Sequence, residues 1–498
     1  MRLAWLDLLV ILAYLAVAVG VGARFTRRER TTRDYFRGGG RVPWWAAGLS
    51  LYGTGLSAIT FIAIPAMAYR TNWAYLVGMV AGVAAVPFVT RWFIPVYREL
   101  DLTTAYEYLE KRFNRPVRLL GSAIFIVFHL GRTAIVLVLP ALVLSEAVGL
   151  PLALSIVIIG AFAVAYTLLG GIEAVIWTDV MQVIVLIGGA LAATIIAIAS
   201  LDGGVAEFFR VAREHDKLAL WNPGFDPTAG AAVMWVIFLG YGMSQFNAYV
   251  ADQSLVQRYM TTRDARDANR ALWLAAVGGV PVQLLFYAVG TAMFVYYTAH
   301  PDLLPAVDHD DAIVPVFLIA QLPIGLTGLV IAGVFAAGMS TIDSSMNSIA
   351  TAVVTDFYAP CAPRADDRRR MRIARWATLT VGVAGIAGAG LVAAMDLPGL
   401  LNAFLGWLFL VVGVLAGMFT LGIITTRATA AGALAGAGVA TAAVVSAALW
   451  SPVSGFLNSV IGWGVCIAAG YVVSLLTPGA DRDLAGLTIH TRRRKGAS

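Results

Sequence analysis

The sequence predicts an all-α, polytopic membrane protein of about thirteen transmembrane helices. Three observations carry that prediction. Of 498 residues, 59% are hydrophobic and 13% charged, where a soluble domain carries about a quarter charged, and the mean hydropathy is +0.80. The apolar residues fall into runs of roughly twenty or more, the length a ~30 Å hydrocarbon core requires. Arginines gather in alternate loops, as membrane orientation demands. A net charge of +6 confined to such loops fits a bilayer, not nucleic acid. The two cysteines, Cys361 and Cys466, have no metal or redox spacing.

Taken in order, span one covers 5–23 and lacks a small-residue cleavage site, so it is expected to be retained. Loop 24–41 holds seven arginines. Span two, 46–67, reads AAGLSLYGTGLSAITFIAIPAM. It is long enough to cross but makes a poor continuous helix: Gly53, Thr54 and Gly55 lie mid-span, Ser57 and Thr60 follow, and Pro65 is near the end. Backbone unwound inside a membrane is tolerated only against protein or a wet cavity. There its carbonyls and helix ends can hold a cation or polar solute; a glycine-rich packing helix is the other reading. Span three is 73–97, followed by a mixed-charge loop, 98–118. Spans four to six are 119–148, 152–169 and 175–200, and a polar loop runs to 229. Span seven, 231–250, contains LGYGMSQFNAY and also reads as interrupted. Loop 251–270 carries Arg258, Arg263, Arg266 and Arg270, and Asp252, Gln253, Gln257 and Arg258 read as a polar cytoplasmic lock. Span eight is 271–297. An acidic loop (Asp302, Asp308, Asp310, Asp311) and a short apolar piece, 313–322, precede span nine, 325–356. After a loop with six arginines come spans ten to thirteen at 377–395, 400–425, 428–450 and 460–476, then a tail ending Arg492, Arg493, Arg494, Lys495.

With the amino terminus outside, the arginine-rich loops after spans one, three, seven and nine, and the tail, are all cytoplasmic, and the acidic loop is external. The interrupted spans two and seven are five apart. That spacing predicts an inverted repeat of five plus five helices, with a site where the halves meet. The halves would be 42–200 and 230–426 of one transmembrane domain, 1–476. The first helix with its basic loop (1–41) and 427–476 would be peripheral, and 477–498 a basic cytoplasmic tail.

Span nine reads VFAAGMSTIDSSMNSIAT. Ala337, Ser340, Thr341, Ser344 and Ser348 recur at helical offsets and share a face. Two hydroxyls from Ser340 and Thr341, facing carbonyls near Gly53 and Leu56, would form a small all-oxygen cage, which hard cations favour. Hydroxyls also bond their own helix or glue helices together. Carboxylates inside a membrane are costly and default to function. Asp179 and Asp343 therefore qualify, though Asp179 could cap its helix and Asp343 could pair with an arginine or Asn347. Arg132 lies ~20 Å into span four at 1.5 Å per residue, too deep to snorkel easily. Its planar fork suits a carboxylate and suggests an anionic solute; an internal salt bridge to Asp343 or Glu146 is the alternative. His129, one turn earlier, reads as a packing or hydrogen-bonding histidine. Trp73, Tyr75 and Met79 could cap a solute or join the interfacial belt, and Asn247 could bind solute or satisfy broken backbone. No nucleophile–base pair, phosphate loop or metal cluster is evident, so an enzyme is not expected.

Three stretches, YTLLGGIEAVIWTDVMQ (166–182), DQSLVQRYM (252–260) and AAGMSTIDSSMNS (336–348), give the chain a resemblance to the sodium:solute symporter family over nearly its whole length. The resemblance implies a LeuT-type fold in the inner or plasma membrane and sodium as the coupling ion. It implies a sodium site from Gly53, Leu56, Ala337, Ser340 and Thr341, and in some members a second sodium on Asp179 with Ser340, Thr341 and Ser344. YFRGGGRVPWWAAGLSLYGTGLSAITF and HLGRTAIVLVLPA look most like the bacterial sialic-acid branch. That likeness implies a solute carboxylate on Arg132 and a pocket lined by Gly55, Ser57 and Thr60, with Tyr75, Met79 and Asn247 nearby. The function expected is sodium-driven import of a small organic anion such as an acidic sugar. A neutral sugar, monocarboxylate or vitamin is the alternative, and a sensor or channel the rival of another class. The expected surroundings are lipid, with no nucleic acid and no obligate protein partner.

Overall fold

A computed structural model describes residues 4–26, 31–169, 171–222, 224–228, 233–304, 313–395, 400–478 and 483–491. Asp308, Asp310, Asp311 and the basic run 492–495 lie outside these residues. The described chain is helical apart from short connections and one isolated bridge, Thr228 to Val453. The helices are α1 (Trp5–Thr26), α2 (Trp44–Gly55), α3 (Ala58–Arg70), α4 (Ala74–Glu99), α5 (Tyr106–Arg112), α6 (Arg115–Val148), α7 (Leu152–Leu169), α8 (Ile172–Ala199) and α9 (Gly204–Glu214). They continue with α10 (Met234–Val250), α11 (Gln253–Met260), α12 (Ala265–Ala299), α13 (Ile313–Gln321), α14 (Leu326–Cys361), α15 (Asp367–Ala394), α16 (Leu400–Ile424), α17 (Ala430–Trp450) and α18 (Asn458–Leu476).

Among the described residues, ten helices are long and apolar enough to cross a membrane, and the bent pair α2–α3 makes up to eleven. Each of the thirteen apolar runs is helical, but α7 and α10 are only 18 and 17 residues long. They lie at the short end of the roughly 17–25 residues a span takes, and with the bent pair counted as one span the expected thirteen exceeds the eleven by these two.

Local chemistry sets the ends. Asn114, Asp264 and Asp366 cap α6, α12 and α15, each accepting a backbone N–H three residues on at 2.8–3.1 Å. Gly149 closes α6 at φ 77°, where a side chain would be strained. The first turn of α14 is capped from another helix: buried Asp7 of α1 accepts the N–H groups of Gly325 and Gly328 at 2.7 and 2.8 Å.

α14 is the axis of the bundle. Its apolar stretch is 89% buried in protein, against 28% for α1, α15 and α18. α8, α6 and α1 pack along α14, and α2 and α3 pack on α12. A tight crossing is α3 on α12, where a Cβ placed on Gly290 would lie 2.1 Å from the Pro65 carbonyl oxygen. Gly290→Val should therefore push α3 away and cost about 1–3 kcal/mol or more. The check is a lower melting temperature of the detergent-purified protein; an unchanged one would contradict the contact.

Candidate functional site

The first interruption falls two residues later than its glycines suggest. α2 continues through Gly53, Thr54 and Gly55, and the chain turns extended at Leu56 (φ −79°, ψ 112°) and Ser57 (φ −111°, ψ 169°). The two half-helices meet at a 59° bend. Ser57 and Thr60 then start α3 as a reciprocal cap: each side-chain oxygen accepts the other's backbone N–H, both at 3.3 Å. This cap has a direct consequence upstream. In an unbroken helix the Ser57 and Thr60 N–H groups would go to the Gly53 and Leu56 carbonyls. Diverted to side chains, they leave those two carbonyls open inside the protein.

α14 answers with hydroxyls. Ser340 Oγ is 3.2 Å from Gly53 O, 3.4 Å from Leu56 O and 3.0 Å from Ala337 O. Thr341 Oγ1 is 3.5 Å from Leu56 O and 3.4 Å from Ala337 O. Five neutral oxygens converge, and Ser340's single proton faces three carbonyls. A donor can satisfy one or two of these; a small hard cation would satisfy all. The residues present fit such an ion.

Arg132 reaches the same break from α6. It is buried, its Nη2 donates to Thr54 O at 2.8 Å, and its Nε has no partner. The alternative of an internal salt bridge is not met: among the described residues no carboxylate lies within 4 Å of it. Gly55 is exposed beside it. Tyr75 packs its ring 6.0 Å from Phe456, and Met79 approaches Gly279 of α12.

The second interruption is also displaced. α10 runs unbroken through LGYGMSQFNAY, and the chain breaks at Ala251 and Asp252. Asn247 O accepts both of those N–H groups, at 2.7 and 3.2 Å, while its side-chain Oδ1 is buried and unpaired.

The Asp179 side of the site differs most from expectation. Asp179 lies two turns inside α8, so it is not a cap. Its Oδ2 accepts from Ser50 Oγ at 2.5 Å and from Arg258 Nη2 at 2.9 Å. Arg258, expected in a cytoplasmic lock, is fully buried. It also donates to Ser50 Oγ (2.7 Å), Ser344 Oγ and the Ser254 carbonyl. A guanidinium thus stands between Asp179 and Ser344, the pair expected to share a second sodium. Gln257, also buried, donates to Phe36 O at 2.7 Å and to Asn347 Oδ1 at 3.1 Å. Asp343 takes neither an arginine nor Asn347; Tyr166 Oη donates to it at 2.8 Å and Ser344 Oγ at 3.2 Å. Sequence reasoning missed Ser50 and Arg258 as partners of Asp179. The sequence carries no local signal for either, although in the structure all eight residues of α11, polar ones included, are buried.

Residues 35–439 match the sequence model of the Sodium:solute symporter family. The chain belongs to that family. Two curated relatives are the sodium/sialic acid symporters NanT of Aliivibrio fischeri and SiaT of Proteus mirabilis. NanT is 36% identical over 94% of this chain and 93% of its own length, SiaT 37% over 95% and 96%. The human sodium-coupled monocarboxylate transporter 1 is 31% identical over 86% of this chain and 71% of its own. Among solved structures, a substrate-bound, outward-open Na+-coupled sialic acid symporter matches with TM-score 0.90 and 36% identity over 96% of this chain and 99% of its own. The hydantoin-bound transporter Mhp1 matches at 0.57 and 18% over 89% and 95%, a likeness of LeuT-type fold. A member of this symporter family is a multi-pass protein of the plasma membrane and a carrier, not an enzyme.

Breaking a buried ion pair strands a charge at about 3–5 kcal/mol, whereas removing both partners costs far less. Arg258→Ala should therefore lower the melting temperature sharply, and Asp179→Asn with Arg258→Met should recover most of the loss, both read by thermal unfolding in detergent.

Proposed function

We propose that this symporter imports an acidic sugar of the sialic-acid class, driven by sodium. The observation that carries the reading is Arg132: a buried guanidinium at the first break, held by one backbone carbonyl, with an unpaired Nε beside exposed Gly55. A carboxylate could accept the Nε–H and a neighbouring Nη–H along one edge of the fork. The sodium ion would sit among Gly53 O, Leu56 O, Ala337 O, Ser340 Oγ and Thr341 Oγ1. The second sodium on Asp179, Ser340, Thr341 and Ser344 would require Arg258 to swing away, so we place one sodium first. Asn247 Oδ1, Ser57 and Thr60 stand near the two breaks as solute contacts. The printed names of the two bacterial relatives support the solute class. A monocarboxylate is the second reading, favoured by the missing side chain at Gly55 and the apolar Met79.

For topology we retain thirteen spans, with α7 and α10 crossing as short helices, the amino terminus outside, and inverted halves at 42–200 and 230–426. The support is that each run is helical and the two breaks sit five spans apart. Alternating access then follows if ligands bind the two states unequally: sodium would fasten the α2–α3 bend to α14, and a solute carboxylate would draw Arg132 off Thr54 O.

The experiment is uptake into proteoliposomes over a panel of sialic acid, monocarboxylates and neutral sugars, with and without an inward sodium gradient. Sialic acid should accumulate only with sodium. Arg132→Ala should raise its KM roughly thirtyfold or more, the loss of a buried charged contact worth at least about 2 kcal/mol. Ser340→Ala and Thr341→Ala should weaken the sodium dependence. Accumulation without sodium, or an unchanged KM, would overturn the assignment.

A further inference from the structure

α10 ends at the second break with three successive carbonyls, those of Tyr249, Val250 and Ala251, and no further turn of its own to engage them. Each accepts a tyrosine hydroxyl. Tyr259 Oη of α11 donates to Tyr249 O at 3.1 Å, Tyr97 Oη of α4 to Val250 O at 2.8 Å, and Tyr106 Oη of α5 to Ala251 O at 2.9 Å. All three tyrosines are fully buried. Gln253, the first residue of α11, adds two bonds to the same neighbourhood: its Oε1 accepts the Ala105 N–H at 2.8 Å and its Nε2 donates to Thr103 O at 2.9 Å. The rings of Tyr97 and Tyr106 lie 6.3 and 6.2 Å from that of Phe419 on α16, so their packing does not depend on the hydroxyls. The two breaks therefore differ in kind. At the first, Ser340 and Thr341 approach the open carbonyls at 3.2–3.5 Å and have Ala337 O of their own helix as a second acceptor. At the second, each carbonyl is held by a donor from α4, α5 or α11.

We infer that Tyr97 and Tyr106 are positioning residues: their hydroxyls latch the α10–α11 corner to α4 and α5, and the latch must let go before the sodium cage can open to the cytoplasm. This rests on the cage and the orientation proposed above, which puts the corner on the cytoplasmic side. Tyr259 joins α11 to α10 across the break and holds the angle of the corner; Tyr97 and Tyr106 hold its place. The connection to the cage runs through α11. That helix packs on α2 and α14, which carry Gly53 and Ser340. Its Arg258 donates to Ser50 of α2 and Ser344 of α14, each about one turn from those cage residues. A corner that leaves α4 and α5 draws Arg258 off both. Removing a tyrosine hydroxyl strands a buried carbonyl in the latched arrangement only, since a corner that has moved away can meet water. The equilibrium then shifts toward the unlatched arrangement.

The test is hydrogen–deuterium exchange of the purified full-length protein, read by mass spectrometry over α11 with and without sodium. Exchange there follows the population in which the corner is open. Tyr97→Phe and Tyr106→Phe keep the rings and remove only the hydroxyls. Each should speed α11 exchange roughly tenfold, the scale of one buried carbonyl left without its donor. Sodium should slow the exchange in wild type and in both variants, because the cage belongs to the latched arrangement. Tyr108→Phe lies in the same aromatic cluster, but its hydroxyl serves Leu487 O at 3.0 Å; it should leave α11 exchange unchanged. Three results overturn the latch: wild-type exchange in both Phe variants, exchange speeded equally in α17 and α18, or no slowing by sodium in a protein that binds radioactive sodium. Absence of radioactive sodium binding by the wild type is the failure of the cage, read separately from the exchange rates.

Discussion

A backbone N–H or C=O inside hydrocarbon must find a partner within the protein, and the architecture follows from where this chain meets that demand with side chains. At Ser57 and Thr60, two residues supply each other's amides and release the carbonyls of Gly53 and Leu56. At the second break, the Asp252 carboxylate accepts the Ser254 amide as the chain turns into α11. At the start of α14, Asp7 of α1 takes the two amides that no preceding turn can engage. Each substitution of side chain for backbone marks a place where a helix stops inside the bundle. Two of the three lie at the site.

The same rule extends to charge. Asp179 with Arg258 and Asp356 with Arg118 are ion pairs in which the acid is buried, with closest approaches of 2.9 and 2.6 Å, and Asp252 is hydrogen-bonded to His129 at 3.1 Å. None joins neighbours in sequence. Each ties α14, α8 or the second break to a helix distant along the chain. A pair of this kind adds little net stability over apolar packing, but losing one member is costly. Such pairs therefore hold a particular arrangement of helices, the property a carrier with two alternative arrangements must control.

Much of this was legible in the residues. Composition and run length placed most helix ends to within a few residues because bilayer thickness constrains them directly, but α12 and α15 begin six and ten residues earlier, as polar turns that extend beyond the apolar run. The cage could be read because Ser340 and Thr341 share a helical face and because glycines flagged the first break. Its position was misjudged by two residues: glycine weakens a helix locally, but the Ser57–Thr60 cap decides where one ends and the next begins. The break after α10 was misplaced for a similar reason, since Gly240 and Gly242 serve close packing, against Phe456 and Ala81, and not unwinding. Partners of buried charges were out of reach. Arg258 lies 79 residues from Asp179, and no local pattern records that approach.

The reciprocal Ser57–Thr60 cap bears on kinetics. Because the chain satisfies its own amides at the bend, the carbonyls of Gly53 and Leu56 face only the hydroxyls of Ser340 and Thr341. An incoming ion need turn aside two hydroxyl protons and not melt a helical turn, so its capture carries no helix-unfolding cost.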